Sequence, residues 1–165
     1  MNSELPDQAP PIEGLLETSL YAGDLAATSA FYRDLFGFKT LVASPRLVAF
    51  EVAARHVLLV FQAGATEADV VDARGAIPGH DGRGRLHLAF SIASGDLGPW
   101  RARLAGKGIP IVGEYRWPRG GLSLYFRDPD CALVELATPG LWWPTQEEDC
   151  RQELGLTGCR PAAFP

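Results

Sequence analysis

Three residues stand out because their chemistry clashes with their surroundings. Glu17 heads the apolar segment "ETSLYA", His87 opens "HLAFS", and Glu135 sits inside "ALVELAT". A buried carboxylate without a partner is costly, and a divalent cation compensates two such charges at once. One imidazole with two carboxylates is an oxygen-rich ligand set that suits Mn, Fe, Co or Ni, or a catalytic Zn, better than a sulfur-bound structural zinc, and it leaves positions open for substrate. Each residue also has a plainer reading: Glu17 as a strand end facing water, His87 as a satisfied core histidine, Glu135 as the ion-pair partner of Arg127 or Arg85.

Further groups could serve such a centre. His80, in "IPGHDGRGRLH", lies on a glycine-rich approach, as expected of a proton donor or acceptor over the pocket or of a surface loop residue. Glu51 in "LVAFEV" is a second candidate base, and otherwise an edge residue facing solvent. Tyr125 and Trp117 flank the "PRGG" turn as candidate ligand contacts, with core packing as the plainer account. Arg119 in that turn would hold an anionic substrate, or simply solvate the surface.

What must position these groups is a repeat. The chain passes twice through short strand, Asp-Leu turn, amphipathic helix closed by glycine, and paired strands. Module one spans 14–63, with Asp24 as expected helix cap, Gly37 as stop and a further strand at "KTLVA". Module two spans 84–139, with Asp96 as cap and Gly106 or Gly108 as stop. Residues 64–83 form a glycine-rich crossover expected to act as a mobile link or flap. A tail, 140–165, carries two tryptophans and several prolines, and is expected to pack as an arm, with a partner subunit as one candidate surface. Glu17 and His87 stand seven and nine residues before their Asp caps, so an approximate two-fold between modules would set them face to face. The expected fold class is α+β, one domain of two tandem βαβββ modules.

The bulk numbers narrow the partners. With 165 residues, 47% of them hydrophobic, the chain can bury a real core. A net charge of −5 without basic blocks argues against nucleic acid and anionic membrane, and favours a small molecule. No run approaches the length of a membrane span, and the N-terminus lacks a signal-peptide pattern. Three cysteines, Cys131, Cys150 and Cys159, have no disulfide or zinc-ribbon spacing, which fits a reducing cytoplasm.

The segments "LYAGDLAATSAFYRDLFGF", "LHLAF", "SLYFRDPD" and "LVELATPGLW" resemble the vicinal oxygen chelate superfamily, which includes glyoxalases, extradiol dioxygenases and fosfomycin- and bleomycin-resistance proteins. The resemblance covers about 14–142. It implies a curled half-barrel around a central site, a homodimer, and a divalent metal on Glu17, His87 and Glu135, with glutamate at the first position where the family usually has histidine. Ser123 and Tyr125 then match the Ser-x-Tyr-Phe strand of fosfomycin-resistance enzymes. Two readings follow: a metal-dependent enzyme acting as Lewis acid on an oxygen-bearing substrate, or a metal-free binding protein like those of bleomycin resistance. A third is a regulatory module whose tail docks a partner.

Overall fold

A computed structural model describes residues 9–143. In its first half β1 (Glu17–Ala22) leads into α1 (Leu25–Phe36), followed by β2 (Lys39–Ala43), β3 (Leu47–Ala53) and β4 (His56–Gln62). These strands form one sheet in the order β1-β4-β3-β2, with β1 parallel to β4 and the rest antiparallel. A small hairpin, β5 (Val70–Asp72) with β6 (Gly75–Ile77), interrupts the crossover. The second half repeats the plan: β7 (His87–Ser91), α2 (Leu97–Gly106), β8 (Gly113–Arg116), β9 (Leu122–Arg127) and β10 (Leu133–Ala137), in the order β7-β10-β9-β8. The fold is α+β with paired βαβββ modules, and its two curled mixed sheets do not close into a barrel. Among the described residues the two sheets share no strand pairing.

Local chemistry accounts for most of the element ends. Asp24 Oδ1 accepts the Ala27 amide at 2.9 Å, and Gly37 takes the left-handed conformation (φ 74°) that stops α1. The corresponding expectation for Asp96 fails. Residues Ser94–Asp96 are already wound into a 3₁₀ turn, so Asp96 has helical backbone angles instead of the extended ones a capping side chain needs, and it makes no cap hydrogen bond. Gly108 (φ 68°), the later of the two expected stops, follows α2.

Alternation along the strands decides where the site can be. Leu20 and Ala22 of β1, Phe50, Leu58 and Val60 of β3 and β4, and Leu124, Phe126, Val134 and Leu136 of β9 and β10 all enter one core, with Tyr32 and Leu35 of α1 and Leu104 of α2. The helices are thus held between the two sheets. Phe31 and Phe36 of α1 reach across to Phe126 and Phe90 of module two.

Polar contacts also join the modules. The turn after β9 sends Asp130 to the start of α1, where it accepts Thr28 Oγ1 at 2.5 Å and the Gly23 amide at 2.8 Å. Beside it, buried Asp128 accepts the Ala132 amide at 2.8 Å and the Tyr32 hydroxyl at 3.1 Å. No helix of the described residues is long and apolar enough to cross a membrane.

Candidate functional site

The faces opposite the shared core carry the candidate chemistry. On module two that face gathers His87 from β7, Glu135 from β10, and Ser123 and Tyr125 from β9 on three adjacent strands, with Glu135 directly opposite Tyr125 and with His87 and Ser123 two residues off to either side, opposite Leu133 and Ala137. Glu135 is only 4% exposed, yet it is an ionisable group at the middle of a strand. Its Oε1 accepts the Ser123 hydroxyl and, at 3.1 Å, the Tyr125 hydroxyl. Burial above all, with Glu135 beside it, holds the Tyr125 phenol above its ordinary range, so it stays a donor.

The other oxygen, Oε2, faces His87 Nε2 at 3.2 Å. His87 Nδ1 lies 3.1 Å from the Leu133 carbonyl, which can only accept, so Nδ1 carries the hydrogen. In the neutral ring this leaves a bare lone pair on Nε2 pointing at a carboxylate oxygen that also can only accept. The pair is satisfied by a proton or by a metal cation between nitrogen and oxygen. A carbonyl holding the far nitrogen of a metal-binding histidine is the usual way its tautomer is fixed. The donor set therefore fits a divalent ion.

Glu17 is exposed and is not part of this group. Among the described residues no three of His, Cys, Asp and Glu lie close enough together to hold a metal. The expectation that the module two-fold sets Glu17 against His87 is not met within one chain, because both strands turn their apolar sides to the common core. Glu17 shares its face of module one with Glu51, both aligned on Val57 of β4, two strand spacings or about 10 Å apart. Glu51 is exposed, with Lys39 Nζ 3.9 Å from its carboxylate.

His80 returns along the crossover to the far end of that face. Its Nδ1 is 2.7 Å from the Tyr21 hydroxyl, and its ring meets Phe61 edge-on at 4.9 Å between centroids. Thr66 Oγ1 bonds its carbonyl, and the neighbouring Asp81 is bonded by the Gly64 amide and Arg83. The segment is thus tied down on module one, where a freely mobile flap was one expectation. Tyr21, absent from the candidates read off the sequence, is thus the partner of His80. Its signal is its place on the Glu17 face of β1, the next residue on that face after Ser19.

The turn residues also differ from expectation. Trp117 donates its indole N–H to Ser123 Oγ at 2.8 Å and packs edge-on against Tyr115. Arg119 donates to the Trp142 carbonyl at 2.7 Å, so its charge holds the segment after β10 in addition to meeting solvent. That segment passes so close to the turn that a Cβ on Gly140 would lie 2.6 Å from the Gly121 nitrogen. Arg127 bonds the Cys131 carbonyl, not Glu135. Beside Glu135 lies a hollow of about 370 Å³, floored by Ala89, Ser91 and Ala137 and walled by Trp142 and Trp143. The remainder of the tail, with Cys150 and Cys159, falls outside the described residues.

Comparison with known proteins agrees with this architecture. Residues 14–136 match the family model described as Glyoxalase/Bleomycin resistance protein/Dioxygenase superfamily. A metallothiol transferase, FosB, of Bacillus licheniformis is 31% identical over 128 residues, covering 77% of this chain and 76% of its own. The crystal structure of lactoylglutathione lyase from Agrobacterium tumefaciens superposes with a TM-score of 0.73 at 36% identity, over 81% of this chain and 98% of that one. The fosfomycin resistance protein FosX of Listeria monocytogenes, complexed with Mn(II) and sulfate, shares the fold at 24% identity, with a TM-score of 0.60 over 87% and 99% of the two chains.

Proposed function

The chain belongs to the Glyoxalase/Bleomycin resistance protein/Dioxygenase superfamily, and from that premise we propose that it is a divalent-metal-dependent enzyme acting on an oxygen-bearing small molecule. The observation that carries this reading is the His87–Glu135 pair: an imidazole lone pair and a carboxylate oxygen aimed at each other at 3.2 Å. The relatives add weight, since the name of the 31% identical protein is a metallothiol transferase.

His87 Nε2 and Glu135 Oε2 would hold the ion, and Glu17 of a second copy of the chain would complete the set. What supports a homodimer of this kind is that β1 and β7 are both edge strands, and that each chain turns its Glu17 face and its His87 face outward. The bound ion would supply Lewis acidity toward a substrate oxygen. The protein's own groups do the rest in this reading. Glu51, aligned with Glu17 on β3, takes or returns the proton. Tyr21 and His80 present hydroxyl and imidazole to the far part of the substrate, and the hollow walled by Trp142 and Trp143 receives an uncharged flat portion of it.

Metal analysis tests the proposal. Protein prepared without chelator should take up Mn²⁺ or Co²⁺ stoichiometrically, and Glu135→Gln, which keeps shape but loses the charge, should not. At free metal about 100 times Kd, binding adds about 2.7 kcal/mol, which for a domain this size raises Tm by roughly 5–10 °C. No uptake and no metal-induced rise in Tm would overturn the enzyme reading in favour of a metal-free binding protein.

A further inference from the structure

The two oxygens of Glu135 are treated unequally. Oε1 accepts two hydroxyls, those of Ser123 and Tyr125, while Oε2 has only the His87 nitrogen beside it. A carboxylate oxygen has about two lone-pair directions, so Oε1 is filled and Oε2 is the one left to coordinate. Behind Ser123 stands a third group. The Trp117 indole donates to Ser123 Oγ at 2.8 Å, and this contact has a fixed sense because an indole nitrogen can only donate. It occupies an acceptor position on the hydroxyl and so directs the hydroxyl proton to the carboxylate, which can only accept. A hydroxyl that both accepts and donates is polarised, and each bond in such a chain strengthens the next.

We propose that Trp117 is a positioning residue for the metal centre, acting through Ser123 to lock Glu135 with Oε1 saturated and Oε2 free as a single-oxygen ligand. This role differs from the substrate contact expected from the sequence. The geometry also explains why a tryptophan stands there: its ring lies against Tyr115, whose strand β8 borders β9, and that packing fixes where the N–H points. Phenylalanine would keep most of the packing and lose the donor.

The inference rests on the metal-dependent reading, and a Co²⁺ titration separates the two. The measured quantities are Co²⁺ affinity and the visible d–d spectrum for wild type, Trp117→Phe, Ser123→Ala and the double variant. Loss of a group that orients a metal ligand weakens metal binding about 10- to 100-fold. Trp117→Phe should therefore bind Co²⁺ about 10-fold more weakly with an altered d–d spectrum, and Ser123→Ala at least as weakly. The double variant should be no weaker than Ser123→Ala alone, because the indole has no route to Glu135 once the hydroxyl is gone. Any general loosening of the fold by Trp117→Phe would instead add to the Ser123→Ala loss, so the cycle decides even if the variant melts earlier. An unchanged affinity and spectrum in Trp117→Phe, or full additivity in the double variant, overturns this proposal alone. A wild type that takes up no Co²⁺ overturns the metal-dependent reading and this proposal with it.

Discussion

Tyr32→Phe is the most informative single perturbation of the fold, because it removes one oxygen from the join between the modules. Tyr32 is fully buried, and its hydroxyl donates to Asp128 Oδ2 at 3.1 Å while Asp128 Oδ1 keeps the Ala132 amide. Burial above all, reinforced by Asp128, pushes the Tyr32 phenol far above its usual range, so this hydroxyl is a donor at every working pH. A hydrogen bond to a charged group contributes about 1.5–3 kcal/mol, and that is the expected cost wherever Asp128 carries its charge. For a chain of this size it corresponds to a fall in Tm of roughly 3–12 °C.

The pH dependence gives the sharper check. Asp128 has its carboxyl pKa raised by burial, partly offset by the Ala132 amide and the Tyr32 hydroxyl, with the Asp130 charge adding to the rise. A carboxyl whose pKa is higher folded than unfolded favours the native state at low pH. That contribution is lost as pH rises through the folded value. Removing the Tyr32 donor raises the Asp128 pKa further, so the loss in Tyr32→Phe is full above that value and shrinks as Asp128 protonates. Urea melts of wild type and variant from pH 4 to pH 8 measure this difference. A loss that is the same at both ends, or below about 0.5 kcal/mol at pH 8, would refute the assignment.

Other expectations are simpler to state. Asp24→Ala removes the side-chain cap of α1 and should cost about 0.5–2 kcal/mol in urea melts, whereas Asp96→Ala, which removes no cap bond, should cost clearly less. Gly82→Ala would put a Cβ 2.4 Å from the Tyr21 ring, so the ring must shift and its hydrogen bond to His80 must lengthen or break. The ¹⁵N resonances of the His80 ring should report that shift, and an unchanged spectrum would count against the Tyr21–His80 contact.

The two modules were legible in the sequence because each helix is written twice over, once as an apolar face and once as punctuation by Asp24 and Gly37 or by Gly108. Strand alternation likewise placed Glu17 and His87 on definite faces. What no local pattern could give is which faces the modules turn toward each other. That depends on the combined apolar surface of Leu20, Phe50, Phe126 and Leu136, and these residues lie in separate segments of chain. Asp96 misled because its Asp-Leu context matches that of Asp24, while the preceding Ser94-Gly95 winds early. By residue type alone Trp117 and Arg119 suit ligand contacts. Their partners, Ser123 and the Trp142 carbonyl, follow only from the return of the chain after β9 and β10. The Tyr32–Asp128 bond went unseen because Tyr32 fits the apolar stripe of α1 equally well as a ring.

The shared core has a consequence for whether either half can stand alone. Either half alone would bare its share of the common core, Phe31 and Phe36 on one side or Phe126 and Phe90 on the other, together with Tyr32 or Asp128 stripped of its mate. Two fragments, cut in the crossover and mixed, should therefore find each other and rebuild the whole, as separated subunits do. The repeat is divisible in sequence but not in space, because one core serves both halves.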